Sequence, residues 1–124
     1  MFEDSIFFNN EARIEINDNQ CYEPIGNNTE VALLKFLQNA GVPLHRELVK
    51  CKTENAIAYQ IPFSTKDKFS AVAVEYASDS KIRIFVKGAH EKVLPWCNST
   101  FDKEGNATYF GEQAKQTLED EVIT

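Results

Sequence analysis

Polar and apolar residues alternate at Arg13-Ile14-Glu15-Ile16, the period-2 pattern of a half-buried strand. The residues before it read as extended, and residues 5–8 form a short strand-like apolar run that a helix could equally carry. Residues 17–26 are mostly polar and contain Pro24 and Gly26, which predicts a connection. The period then changes. Leu33, Phe36, Leu37 and Ala40 recur at i, i+3, i+4 and i+7, one apolar stripe of a helix. Asn28 or Thr29 is placed to cap that helix, because a short side-chain oxygen accepts from a free backbone N–H of the first turn. Gly41 is placed to end it, since glycine enters the left-handed region without steric cost, and Pro43 prevents resumption. Residues 44–51 fit a second short helix.

The middle of the chain predicts an antiparallel meander. Ile57, Tyr59, Ile61 and Phe63 share one parity, Phe69–Tyr76 is rich in strand formers, and residues 81–87 alternate after the polar turn Ala77-Ser78-Asp79-Ser80. Gly88-Ala89-His90 breaks the strand, and residues 91–97 read as a short helix limited by Pro95. A loop through residues 102–105 follows, then a helix over Glu112–Ile123 with Ala114, Leu118 and Val122 on one face. Strands joined by short turns and mixed with helices predict an α+β fold, an antiparallel β-sheet flanked by helices, in a single domain spanning residues 1–124.

Composition narrows the function. Nineteen acidic against thirteen basic side chains give a net charge of −6, which argues against nucleic acid as a partner, because binding it needs a basic face. The apolar runs fall far short of the roughly 20 residues that span a bilayer, so the chain is not expected to insert into a membrane. The acidic start Met1-Phe2-Glu3-Asp4 does not resemble a signal peptide. Cys21, Cys51 and Cys97 are odd in number and lack metal-ligand spacing, so neither a zinc site nor a disulfide framework is expected. Three glycosylation acceptor patterns, at Asn27, Asn98 and Asn106, support a rival reading as a secreted, glycosylated interaction domain.

No Walker loop, GxGxxG, GxSxG or HExxH is present, so no catalytic residue is assigned. Three stretches suit a planar anionic ligand. Around Phe63, a strand delivers an aromatic ring with Ser64 beside it and Lys68 five positions on; a phenyl face stacks on a purine and an ammonium meets phosphate. At Lys87-Gly88-Ala89 a lysine ends a strand beside a glycine whose missing Cβ would let a flat ligand approach. Glu30 places a carboxylate at a helix start, where it could accept from an exocyclic amine. Each has a plainer reading: Phe63 as core, Lys68 and Lys87 as solvated charges, Glu30 as a complement to the helix dipole.

Taken in order, Gly26-Asn27-Asn28-Thr29-Glu30, Ile61-Pro62-Phe63-Ser64 with Lys68, and Val86-Lys87-Gly88-Ala89-His90-Glu91 resemble the three hallmark stretches of the nucleotide-binding (N) domain of P-type cation-transporting ATPases. The GNxTE form is most similar to the plasma-membrane calcium-pump branch. Cys97 and residues 101–106 also resemble the segment after KGAPE in calcium pumps. The resemblance implies that Phe63 stacks on adenine, Glu30 hydrogen-bonds the base, Lys87 lines the pocket with Ser64, Gly88 and Ala89 beside it, and Lys68 points toward the phosphates. It implies ATP and ADP as ligands, with Mg2+ carried by the nucleotide and no metal site of the chain's own. It also implies phosphorylation and actuator domains of the same parent chain as partners, and a monomeric cytoplasmic domain of a multi-pass membrane protein.

Two departures stand out: Thr65 where many sarcoplasmic-type pumps carry a phosphate-reaching arginine, and His90 in place of the proline of KGAPE. No DKTGT is present, so the phosphorylated aspartate is expected outside the chain and the isolated chain is expected to be inactive. The chain also ends at Thr124, before the arginine-containing ALR-like stretch, as an excised domain would. The alternative is an N-domain-like module that has lost nucleotide binding and serves as a structural or regulatory-partner surface.

Overall fold

In the computed structural model, which describes the backbone of residues 2–123 and the side chains of residues 2–121, the chain opens with a helix and not a strand. This helix, α1, spans Phe2–Phe8. The run at residues 5–8 carries no strand period because Ile6, Phe7 and Phe8 are all buried. Successive helical positions turn about 100°, so Ile6 and Phe7 enter one core while Phe8 enters another.

Strand β1 (Arg13–Ile16) forms as expected and pairs antiparallel with β2 (Tyr22–Ile25), from Arg13 opposite Ile25 to Ile16 opposite Tyr22. The second strand was hidden within the predicted connection. Pro24 removes a backbone donor and reads as a breaker, yet an isolated two-stranded ribbon tolerates it.

Helix α2 (Asn28–Asn39) starts one residue earlier than the expected caps allow: Asn27 is the cap, its side-chain oxygen accepting from the Glu30 N–H at 2.9 Å. Its inward stripe also differs from expectation. Glu30, Leu34 and Leu37 are buried, whereas Phe36 and Ala40 are exposed and Leu33 is half-buried. Gly41 terminates the helix at φ +90°, as predicted. Helix α3 (Leu44–Glu54) follows with Pro43 at its cap position and runs three residues beyond the expected end.

Strands β3 (Asn55–Ile61), β4 (Phe69–Tyr76) and β5 (Ile82–Gly88) form the predicted meander, ordered β3-β4-β5 and antiparallel throughout. A register shift between Ile57 and Tyr59 interrupts the first pairing. On the inner face Val72 and Val74 pack with Phe85 and Phe8, while Ile6, Phe7, Ala12, Leu34, Leu37 and Leu44 make the helical core. Cys51 touches both clusters.

Beyond the sheet, the predicted short helix divides into α4 (His90–Val93) and a 3-10 turn at Leu94–Trp96, because Pro95 cannot donate to an α-helical ladder. The expected loop at residues 102–105 is the tip of a hairpin, β6 (Ser99–Phe101) with β7 (Ala107–Tyr109). Helix α5 covers Glu112–Ile123. Ala114 and Leu118 on it are exposed; the Val122 side chain, like Met1 and Thr124, lies outside the described residues. The architecture is α+β with antiparallel sheets and flanking helices, as the sequence predicts. Among the described residues, no helix is long and apolar enough to cross a membrane.

Candidate functional site

A cleft of about 780 Å³ opens where the start of α2, the β3–β4 connection and the end of β5 meet. Its lining includes Glu30, Phe63, Lys68, Lys87, Gly88 and Ala89, six of the seven residues singled out in the sequence. That volume suits a small-molecule ligand.

Glu30 lies in the first turn of α2 on the same face as Leu34 and Leu37, so helical geometry turns it inward, where it is only 7% exposed. Its carboxylate is satisfied there. Lys87 Nζ donates to Oε1 at 2.7 Å and the Glu11 N–H donates to Oε2 at 3.2 Å. Lys87 Nζ also donates to the Asn9 carbonyl. A charge taken out of water needs such partners, and here each charge neutralises the other. The plainer reading of Lys87 as a solvated charge therefore does not hold, whereas Glu30, in the first turn of α2, still stands where it complements the helix dipole.

Phe63 follows the end of β3 and is 61% exposed, which excludes the core reading and leaves its ring on the cleft surface. Ser64 is placed differently. It is absent from the lining, donating instead to Asp67 Oδ2 at 2.8 Å and accepting from the Asp67 N–H at 3.0 Å. It shapes the turn rather than facing the cleft.

Lys68 sits at φ +59°, a conformation uncommon for a residue with a side chain. Two backbone bonds hold it: its N–H donates to the Ser64 carbonyl at 2.8 Å, and its carbonyl accepts from the Ala89 N–H at 2.9 Å. Its ammonium, half in solvent, pairs with Glu91 Oε1 at 3.4 Å. The backbone N–H of Glu91 first, and Lys68 after it, hold the Glu91 carboxyl below its ordinary range.

Gly88 is required for a reason other than the expected one. A Cβ there would stand 2.5 Å from the Lys68 carbonyl and 2.6 Å from the Phe69 Cβ. The space its missing side chain leaves is taken by the neighbouring strand end, with which it pairs in register, and not reserved for a ligand. Ala89 caps α4 and lines the cleft. Thr65 also lines it, whereas His90 lies outside the lining, with its ring 3.5 Å from Glu91.

Sequence reasoning missed Leu33, which supplies an apolar wall, and gave no individual role to Asn27, Asn28, Thr29 and Glu91, which lie in the quoted stretches and complete the lining. Leu33 stands one helical turn from Glu30, so its place on that face was legible once Glu30 was taken as inward. Asn9 and Glu11 lie beneath the cleft as partners of Lys87 and Glu30, and nothing local in the sequence marks them. Among the described residues, no group of three or more His, Cys, Asp or Glu side chains could hold a metal ion.

Comparison with known proteins gives a consistent result. The family model described as P-type ATPase, cytoplasmic domain N, matches residues 2–124. The calcium-transporting ATPase PAT1 of Dictyostelium discoideum is 33% identical over 128 residues, which cover 98% of this chain and 11% of that protein. Calcium-transporting ATPase 1 of Saccharomyces cerevisiae is 34% identical over 84 residues, 68% of this chain and 8% of that protein. The plasma membrane-type calcium-transporting ATPase 8 of Arabidopsis thaliana is 35% identical over 81 residues, 65% of this chain and 7% of its own length. The aligned part thus amounts to about a tenth of each relative.

Proposed function

Because the chain belongs to the P-type ATPase cytoplasmic N-domain family, we propose that its cleft holds the base of ATP and presents the triphosphate to a separate domain of a larger protein. The observation that carries this reading is the convergence of an exposed ring at Phe63 with the Glu30–Lys87 pair in one cleft. Phe63 stacks on adenine. Glu30, with two donors already bound, retains carboxylate lone pairs for the exocyclic amine. Lys87 neutralises that carboxylate, and Gly88 and Ala89 form the adjoining backbone wall. Lys68 is the cation nearest the phosphates, while Ser64 orders the turn that carries Phe63 and Lys68. Thr65 offers no charge, so an arginine contact to phosphate is missing. Mg2+ arrives on the nucleotide.

We extend the proposal to the whole protein: a calcium-transporting ATPase whose phosphorylation domain carries the acceptor aspartate and whose actuator domain completes the cycle, with this chain as one monomeric nucleotide-binding domain. Phosphoryl transfer depends largely on positioning, which is the task assigned to the cleft. Stacking of one base contributes about 1–3 kcal/mol and each hydrogen bond roughly 0.5–1.5 kcal/mol. These gains are modest against the cost of immobilising a ligand, so weak binding is expected.

Titrating Mg-ATP into isotope-labelled chain tests this. Saturable shifts of the amides around Glu30, Phe63 and Lys87 are expected. Silence at several millimolar would sink the reading and favour a partner-binding surface instead.

A further inference from the structure

Asn9 stands just past the end of α1 and is 4% exposed, yet it forms no part of the cleft lining. Its Nδ2 donates to the Ser70 carbonyl at 3.1 Å and to the Phe85 carbonyl at 3.3 Å, and its Oδ1 accepts from Ser70 Oγ at 3.1 Å. Those partners lie on adjacent strands, and Ser70 is the register partner of Lys87. The backbone carbonyl of Asn9 in turn accepts from Lys87 Nζ. Every hydrogen-bonding group of this carboxamide is thus engaged on the sheet directly beside the lysine. The following residues reach the opposite wall: Asn10 Nδ2 meets the Glu30 carbonyl at 3.5 Å and the Glu11 N–H meets Glu30 Oε2 at 3.2 Å.

We propose that Asn9 is a positioning residue for Lys87, its buried carboxamide fixing the carbonyl that commits the ammonium to the cleft floor beside Glu30. A lysine stem is flexible, and its ammonium is strongly hydrated. Held only by Glu30, it would be free to swing outward toward water or toward a ligand's anionic groups. A second acceptor anchored to both strands removes that freedom and fixes the floor before anything binds, which lowers the ordering cost of association. The effect on nucleotide affinity rests on the proposed function; the positioning of Lys87 does not.

Side-chain NMR of the intact 15N-labelled chain tests the two separately. In the unaltered protein, Lys87 Nζ should give an ammonium signal slowed in exchange by its two acceptors. Asn9→Ala should abolish that signal while the backbone spectrum stays folded, and should weaken Mg-ATP binding by about tenfold. Ser70→Ala deletes one of the three side-chain bonds and should move both readings the same way by less; it keeps the test open if Asn9→Ala does not fold. A protected Lys87 signal that persists in folded variants, or that is missing from the unaltered protein, overturns the proposal. Loss of the signal in Asn9→Ala and its weakening in Ser70→Ala, with no ATP binding by the unaltered chain, support the positioning and refute the nucleotide reading alone.

Discussion

Lys87 Nζ lies 2.7 Å from Glu30 Oε1, across 57 positions of sequence. The bond ties the end of β5 to the first turn of α2 and so joins the two walls of the cleft. Removing one partner leaves the other charge poorly solvated and unpaired. Lys87→Ala should therefore destabilise the chain by about 2 kcal/mol. Adding Glu30→Gln to that variant should recover part of the loss. Urea unfolding of the single and double variants measures both, and strict additivity would show that the pair does not couple.

Phe63 contributes little to the core, being mostly exposed. Phe63→Ala should leave the thermal midpoint nearly unchanged while weakening Mg-ATP binding by about tenfold or more, the value of a lost stacked base. Calorimetric unfolding beside a binding titration separates these effects. A collapse in stability would instead make the ring a packing element.

Glu91 pairs with Lys68 at 3.4 Å and both line the cleft, so a negative charge stands beside the cation proposed to meet the triphosphate. Both side chains are about half exposed, so the pair is weak. Glu91→Gln should tighten ATP binding by about twofold to fivefold and leave adenosine binding unchanged. Equal effects on both ligands would indicate an altered fold and not a freed lysine.

Tyr76 donates to Asp4 Oδ2 at 2.6 Å, and burial first, then this bond, raise its phenol above the usual range. Below a pH of about 10 both folded and unfolded chains keep this proton, and the stabilisation is whole. Above it, the unfolded chain releases the proton while the folded chain retains it, so stability falls as pH rises. Tyr76→Phe should make thermal stability less sensitive to pH between about 9 and about 11. An identical slope in the variant would remove Tyr76 from the account.

The sheet was legible because its strands alternate and a polar turn separates two of them; Gly41 was legible because a positive φ suits glycine. Helix α1 was not, since burial on several sides erases the period by which a helix is recognised. The stripe of α2 was misjudged for a related reason. Glu30 counts as polar until its lysine is known, and that lysine lies on another element. The candidate site shows the same division. Phe63, Lys68 and Lys87 stand out by residue type and setting, whereas Asn9 and Glu11 acquire meaning only from groups brought to them by folding. Gly88 was found for an incomplete reason, since pairing with the strand beside it already demands a glycine.

Ile6 and Phe7 enter the helical cluster while Phe8 enters the sheet cluster, so the consecutive rings of Phe7 and Phe8 tie together the two bodies that carry opposite jaws of the cleft. The opening is thereby gauged from behind. A change of bulk at Phe8, which packs on Val72, Val74 and Phe85, thus reaches the cleft through the sheet behind it and not through a lining residue.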